Sequence, residues 1–507
     1  MKRIAEFLRS VFASKSIEGS TYEAAITSGF WSSGINVGER TLQLSKIIIL
    51  AQLLSPEDFG LLGIGLVVLA GLNQFTELGI DQSLIQQEEE DVGEYLNTAW
   101  VIQILRGSLI AIIGLVSAPS IAYLLREPRS VLLIQVICFL PFILSIRNPA
   151  SIYFQKHLNF HKEFVYIIGG VIIDFLAAII FAIIYKNVWA LVAGRLLGNI
   201  SRVAISYLIH QYRPGFGFSL EHAREMLDFG KWLFLSSILF FLYAQADDAF
   251  VGWYFGAASL GFYQVAYRFS NAPATEISQV ISRVAFPAFS KVQRDKDRLR
   301  SGLFQVIQLA SFVSFPTSIG ILIVAPYFVL TFFGPDWSPM IPLIQILVIA
   351  GSMRSLVAGS GSLFKAVGRP DFETKLQLFK VIIIGVLILP FSAKFGVEGV
   401  AGVIAINTFI VQPILIYLSL KIVEGSYKRL IYVLYPQLIG SLAMGILLKG
   451  IDFYFLQGPS IWSFFILVLS GAIIYTIVAG VLLYYSDNNI ILFDLIIKKF
   501  LNLTPYI

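Results

Sequence analysis

An all-α protein that crosses a membrane many times is the fold class this sequence predicts, and three observations carry that expectation. Of the 507 residues, 57% are hydrophobic and 14% charged, whereas soluble domains carry about 25% charge. Mean hydropathy is +0.77. Apolar runs of about 20 residues recur along the chain, each long enough to cross a hydrocarbon core of about 30 Å, and they lack the two-residue alternation of a membrane β-barrel.

Taken in order, the chain begins with a segment holding Lys2 and Arg3 but no uninterrupted apolar stretch or small-residue cleavage site, so a cleaved signal peptide is not expected. Ile4, Phe7, Leu8, Val11 and Phe12 share one helical face, which suits a short helix on the membrane surface as well as a frayed basic tail. Apolar runs bounded by charges, Gly or Pro then predict about fourteen spans: 24–54, 60–86, 95–124, 130–155, 163–185, 188–212, 226–253, 260–291, 301–333, 340–366, 372–395, 397–421, 430–450 and 460–485. With the first residue inside, the inner segments hold 21 Lys and Arg, and the outer ones hold five: Arg126, Arg129, Lys186, Lys394 and Lys449. That bias places both termini in the cytoplasm.

The expected organisation is a basic cytoplasmic segment at 1–23, an N-lobe of six spans at 24–212, and a cytoplasmic linker at 213–225. A C-lobe of six spans follows at 226–421, with two further spans and a cytoplasmic tail at 422–507. The two lobes are expected to be pseudo-symmetric. An offset of 201 residues lays Gly29 on Gly230, Trp31 on Trp232 and Gly60 on Gly261 at equivalent topological places.

Polar residues inside these spans point to function. On a helical wheel Ser32, Asn36, Glu39, Gln43 and Lys46 fall on one stripe of span 1, with Arg40 on its shoulder. Asn73, Glu77 and Asp81 share a face of span 2, as Gln264, Arg268, Asn271, Thr275, Ser278 and Ser282 do in span 8. A charge near mid-bilayer costs about 2.5–3.5 kcal/mol on insertion scales, so such stripes face a bundle interior or a wet cavity. The basic residues within spans are Arg40, Lys46, Arg106, Arg147, Arg195, Arg202, Lys231, Arg268, Arg283, Arg354 and Lys380. Lys231, Arg283 and Lys380 lie near span ends and can snorkel. Guanidinium groups grip phosphate oxygens bidentately and stay charged, so Arg40, Lys46, Arg147, Arg268 and Arg354 are candidates for binding an anionic cargo. Glu39, Glu77, Asp247 and Asp248 are candidates for coupling to a cation; neutralising nearby arginines is their alternative role, and Glu276 belongs with them. Asp81 is also consistent with a place at the inner interface. Asp174 and Arg202, at similar depth on adjacent spans, are expected to form an internal ion pair.

Other chemistries find little support. Asp247 and Asp248 sit within an apolar helix beside a short outer loop, unlike the acidic pair of a metal-dependent transferase. His157 and His161 have i, i+4 spacing without an acidic or Cys partner, so no metal site is expected. Cys138, the single cysteine, stands in an apolar run and is expected to be a buried small residue. No phosphate-binding loop of the GxxxxGK[ST] type occurs, and no basic cluster suited to nucleic acid. No cofactor is expected.

Three stretches carry a resemblance: Leu54-Ser55-Pro56-Glu57-Asp58-Phe59-Gly60, Lys365-Ala366-Val367-Gly368-Arg369-Pro370 and Phe395-Gly396-Val397-Glu398-Gly399-Val400-Ala401. In this order and spacing the chain resembles the polysaccharide transporter, or Wzx-like, family of the multidrug/oligosaccharidyl-lipid/polysaccharide exporter superfamily. The resemblance implies a flippase rather than an enzyme, working by alternating access between two six-helix lobes in a bacterial or archaeal cytoplasmic membrane. Its implied cargo is an oligosaccharide on an undecaprenyl diphosphate carrier, moved to the outer leaflet for O-antigen, exopolysaccharide or capsule assembly, with Arg40 best placed to hold the diphosphate. H+ or Na+ are the candidate coupling ions, and a polysaccharide polymerase is a candidate partner. A multidrug or cation-coupled small-molecule antiporter on the same architecture is the alternative; a membrane polymerase or glycosyltransferase is more remote, because the outer loops are short.

Overall fold

The computed structural model describes residues 21–86, 92–157 and 159–485; the side chains of 21–30, 32, 33, 227–240, 273, 274, 276, 277, 279, 280, 283, 284, 484 and 485 fall outside that description. The surface helix considered near residues 4–12, the tail beyond 485, and the side chains of Ser32, Lys231, Trp232, Glu276 and Arg283 therefore lie outside the described residues. Among those described, the chain is helical, without strands. In order the helices are α1 (Thr21–Ala51), α2 (Pro56–Gln74), α3 (Ile80–Gln86), α4 (Gly93–Leu124), α5 (Ser130–Ser145), α6 (Tyr153–Lys156), α7 (Phe160–Tyr185) and α8 (Trp189–Ile209). They continue with α9 (Leu220–Phe255), α10 (Ala257–Lys291), α11 (Lys296–Phe332), α12 (Met340–Leu356), α13 (Ser360–Ala366), α14 (Asp371–Val423), α15 (Tyr427–Phe455) and α16 (Ile461–Tyr485). Eight helical segments among the described residues are long and apolar enough to cross a membrane, or nine if the pair Ser130–Ser145 and Pro149–Lys156, bent by 81°, is one span.

Contacts divide the chain into two compact units, Met1–Leu54 with Gly65–Ile238, and Ser55–Ile64 with Leu239–Ile507. The boundaries fall between α1 and α2, inside α2 and inside α9.

Within the first unit the expected 60–86 span is interrupted. Helix α2 ends at Gln74, and α3 begins only at Ile80. Two local hydrogen bonds compete with the helix ladder there: the Thr76 hydroxyl donates to the Leu72 carbonyl at 2.7 Å, and the Gly79 N–H donates to Glu77 at 3.2 Å. Glu77 and Asp81 therefore do not continue the helical face of Asn73, contrary to the wheel. A second interruption splits 130–155. Asn148, fully buried, accepts the Ala150 N–H at 3.0 Å and donates to the Tyr212 carbonyl at 2.7 Å, and Pro149 then opens a new turn. Helices α7 and α8 pack through Gly194-x-x-x-Gly198: a Cβ at Gly194 would lie 2.8 Å from the Asp174 carbonyl, and one at Gly198 would lie 3.0 Å from the Gly170 carbonyl.

The second unit contains the start of α2 and the start of α10. Ser55 and Asp58 close a reciprocal cap on α2: the Ser55 N–H donates to Asp58 Oδ2 at 3.0 Å, and the Asp58 N–H donates to Ser55 Oγ at 3.3 Å. Pro56 fills the first turn, where its missing N–H costs nothing. The two helix starts cross at contact distance, with Gly60 against Ala257 and Gly261 against Pro56. The two contacts exchange under the offset of 201 residues read from the sequence, which lays Gly60 on Gly261 and Pro56 on Ala257. Trp337, 1% exposed, packs edge-on to Phe59, Phe262 and Phe333 beside this crossing.

Helix α14 covers two expected spans, 372–395 and 397–421, which meet at a break at Gly396 (φ 62°, ψ −144°). A side chain is strained at such angles. Replacing Gly396 by Ala is expected to lower stability by about 1–3 kcal/mol, and thermal unfolding in detergent checks this.

Candidate functional site

A cavity of about 540 Å³ lies inside the first unit, lined by α1, α2, α3, α4, α5, α7 and α8 with the breaks between them. Its charged lining comprises Glu39, Glu77, Asp81 and Asp174 together with Arg106, Arg147, Arg195 and Arg202; Gln43, Asn73, Gln103 and Asn199 add neutral polar groups. Each side chain arrives there for a local reason. The 100° spacing of α1 turns Glu39 and Gln43 inward and leaves Arg40 exposed. The breaks after α2 and α5 bring in Glu77 and Arg147, which lie outside helices. In α8, Arg195, Gly198, Asn199 and Arg202 occupy one face at helical spacing, where the small residues admit Asp174.

Most of these charges are paired. Arg106 Nη2 donates to Glu77 Oε2 at 3.0 Å and to the Asn73 carbonyl at 3.0 Å, while its Nε donates to Thr76. Arg147 Nη2 donates to Asp81 Oδ2 at 2.5 Å, and Gln103 Nε2 donates to the other oxygen at 2.7 Å. Lys46 Nζ meets Asp174 Oδ2 at 2.5 Å, with both side chains largely buried. Arg202 lies 4.0 Å from Glu39, which also accepts from Gln43. Arg195 makes no hydrogen bond or ion pair with any described residue.

Two sequence expectations change here. Asp174 pairs with Lys46, not with Arg202. The aliphatic stem of Arg202 lies across Gly170, one turn before Asp174, and its guanidinium reaches α1 instead. Asp81 is a cavity residue and the partner of Arg147. Of the candidate cargo residues, Arg147 lines the cavity and Lys46 is bonded to a lining carboxylate, whereas Arg40 does not line it. The sequence marks Arg106 and Arg195 only as in-span charges; the helical repeat 195, 198, 199, 202 is the signal that unites Arg195 with Arg202.

The remaining candidates belong to the second unit. Asp247, buried, accepts from the Tyr263 hydroxyl at 2.7 Å, and Asp248 accepts from Gln264 Nε2 at 3.0 Å. Arg268 is exposed. Arg354 Nη1 donates to the Tyr267 hydroxyl at 3.0 Å, and its guanidinium carbon stands 5.5 Å from the centre of the Tyr267 ring.

Residues 49–342, more than half of the chain, match the protein family described as polysaccharide biosynthesis protein. The chain belongs to that family. Among its relatives, the lipopolysaccharide biosynthesis protein WzxC of Escherichia coli is 28% identical over 447 residues, 85% of this chain and 89% of the relative. The succinoglycan biosynthesis transport protein ExoT of Rhizobium meliloti is 25% identical over 340 residues, 67% of this chain and 68% of its own. The solved lipid II flippase MurJ, in an inward closed conformation, superposes with a TM-score of 0.70 at 16% identity, covering 89% of this chain and 98% of MurJ. An inward-facing multidrug resistance MATE family transporter reaches 0.62 at 15% identity, covering 76% of this chain and 94% of its own. At such identities the superpositions establish the fold: a multi-pass, all-helical membrane protein built like known transporters.

Proposed function

We propose that this protein is a flippase that carries a lipid-linked oligosaccharide, with a polyprenyl diphosphate head group, from the cytoplasmic to the outer leaflet for surface polysaccharide assembly. It acts as a transporter and not as an enzyme, in a cytoplasmic membrane. The fourteen apolar runs are its crossings, and the excess of inner Lys and Arg supports cytoplasmic termini. One observation carries the reading: the cavity of the first unit gathers four guanidinium groups between apolar helices, and among the described residues Arg195 has no directly bonded carboxylate, Asp174 acting on it only through its charge. With Lys46 counted, cations outnumber the lining carboxylates by five to four. The paired arginines keep donors in reserve, since a guanidinium offers five N–H groups. An inside-negative potential favours outward movement of a diphosphate by about 2.3 kcal/mol per charge per 100 mV, so two charges supply about 4.6 kcal/mol without ATP. Names among the relatives, a succinoglycan transport protein and a probable glycan biosynthesis flippase, support the same reading.

Reconstitution in vesicles with a defined lipid-linked oligosaccharide, scoring outer-leaflet exposure with and without an imposed potential, tests it. Arg195→Gln is expected to reduce flipping at least about tenfold while leaving the protein close to its parent in stability, since no carboxylate among the described residues loses a hydrogen-bonded partner. The four cavity carboxylates favour a second reading, an antiporter of cationic small molecules on the same fold. Efflux of a cationic dye without flipping of the oligosaccharide would establish that reading and overturn the first.

A further inference from the structure

A second cavity, of about 480 Å³, lies wholly within the second unit, and it concentrates positive charge. Arg354, Lys365 and Lys380 line it, against one carboxylate, Glu373. Glu373 is engaged by Lys365 at 3.5 Å. Lys380 Nζ stands 4.8 Å from the Tyr243 ring centre, a cation–π contact that brings no counter-charge. The decisive group is Arg354. Its Nη1 is committed to Tyr267, but its Nε and Nη2 are buried and have no hydrogen-bond partner among the described residues. Those two nitrogens form the side-on edge of the guanidinium, the edge whose parallel N–H groups match two oxygens of one anion. Buried charged donors without acceptors are costly, and a site that retains them is arranged for a ligand that supplies the acceptors.

We infer that this pocket binds a phosphoryl group, whose entry draws the Nε–Nη2 edge of Arg354, now closed off from the open cavity, onto two of its oxygens while Lys380 neutralises the remaining charge. Three cations against one carboxylate on the wall, with Asp247 acting on Arg354 from behind it, leave a positive surplus that suits an anionic phosphoryl group. The volume falls in the range of sites for whole small molecules, about 300–1,000 Å³, so the phosphoryl group arrives attached to something larger. Gln412 Oε1, also lining the cavity and buried without a partner, needs a donor, and a hydroxyl on the ligand provides one. The ligand class is therefore a hydroxylated phosphate ester or diphosphate, from either a soluble sugar phosphate or a lipid head group. The site is separate from the cavity of the first unit and does not rest on the cargo proposed for it.

Cysteine protection tests this. Ser282 lines the pocket and is exposed, and Cys138 is the sole native cysteine, so Ser282→Cys in a Cys138→Ser background gives one reporter thiol. Maleimide labelling is timed in detergent with inorganic pyrophosphate or glucose 1-phosphate, and in nanodiscs with or without undecaprenyl phosphate. Saturable protection by the soluble probes assigns a soluble ligand; protection by the lipid alone assigns a head group. Either result supports the pocket when Arg354→Lys, which keeps the charge and loses the fork, raises the half-protecting concentration about tenfold or more. Lys380→Gln serves as a second variant and is expected to raise it severalfold. Labelling unaffected by every probe, or protection unchanged in both variants, would overturn the inference. Flipping in vesicles scores the proposed cargo independently, so either idea can fail alone.

Discussion

Gly60→Ala and Gly261→Ala are each expected to remove most of the folded protein from the membrane. A Cβ on Gly60 would lie 1.6 Å from the Ala257 carbonyl oxygen, and one on Gly261 would lie 2.0 Å from that of Pro56. Both obstacles are backbone atoms, so no side-chain rotamer relieves the clash; the two helix starts must separate. Separation would disturb Trp337, packed against Phe59 from one helix and Phe262 from the other. Overpacking in a core costs about 1–3 kcal/mol when side chains can yield, and the rigid case here should reach about 3 kcal/mol or more. Because one separation relieves both clashes, the double variant should be little worse than either single one. Gly385 has open space around its Cβ position, and Gly385→Ala in α14 should be neutral or stabilising by about 0.5–1 kcal/mol. Heating followed by size-exclusion chromatography reads all four variants. Parent-like melting of Gly60→Ala would mean that the helices do not cross at this distance.

The crossing also illustrates what was legible in the sequence. Ser55, Pro56 and Asp58 announce a helix start through cap chemistry, and Gly60 and Gly261 stand at equivalent positions, so a close approach of some kind was readable. That they meet each other required the fold. In α1 the wheel placed Glu39, Gln43 and Lys46 together, and the structure uses all three at or beside the cavity. The same wheel failed past Gln74, where the Thr76 and Glu77 side chains divert the backbone and Asp81 enters on a separate helix. Arg147 was legible as a charge, but its position depends on a break pinned by Asn148 to residues more than sixty positions away. Pairing was the least legible feature. Depth along a span narrows the partners of Asp174 to several cations, and the rotation of α7 against α8 and α1, set by Gly194 and Gly198, selects Lys46.

That selection yields the second large effect. Asp174→Asn is nearly isosteric, so it should not disturb the glycine contacts of α8, yet it removes the carboxylate that Lys46 Nζ meets between apolar helices. Side-chain exposures of 13% for Lys46 and 19% for Asp174 place the pair close to the buried case. Breaking a buried pair costs about 3–5 kcal/mol, and the residual exposure reduces the expectation to about 2–4 kcal/mol. Lys46→Met should cost a similar amount, because among the described residues Asp174 Oδ1 already lacks a hydrogen-bond partner and Oδ2 would then lose its own, with the charge of Arg195 acting only from a greater distance. Removing both charges eliminates the stranded partner, so Lys46→Met with Asp174→Asn should recover most of the loss, and a double-mutant cycle on thermal stability in detergent should give a coupling of about 2–3 kcal/mol. The companion cycle on Asp174→Asn and Arg202→Gln is expected to couple by less than about 0.5 kcal/mol, since Arg202 faces Glu39. The opposite ordering of the two cycles would return Asp174 to Arg202 and reject the pairing across α1 and α7. Transport then separates structure from function: if the pair only braces the cavity wall, the stabilised double variant should flip lipid-linked oligosaccharide at close to the parental rate. A persistent deficit would mean that Lys46 meets the cargo itself.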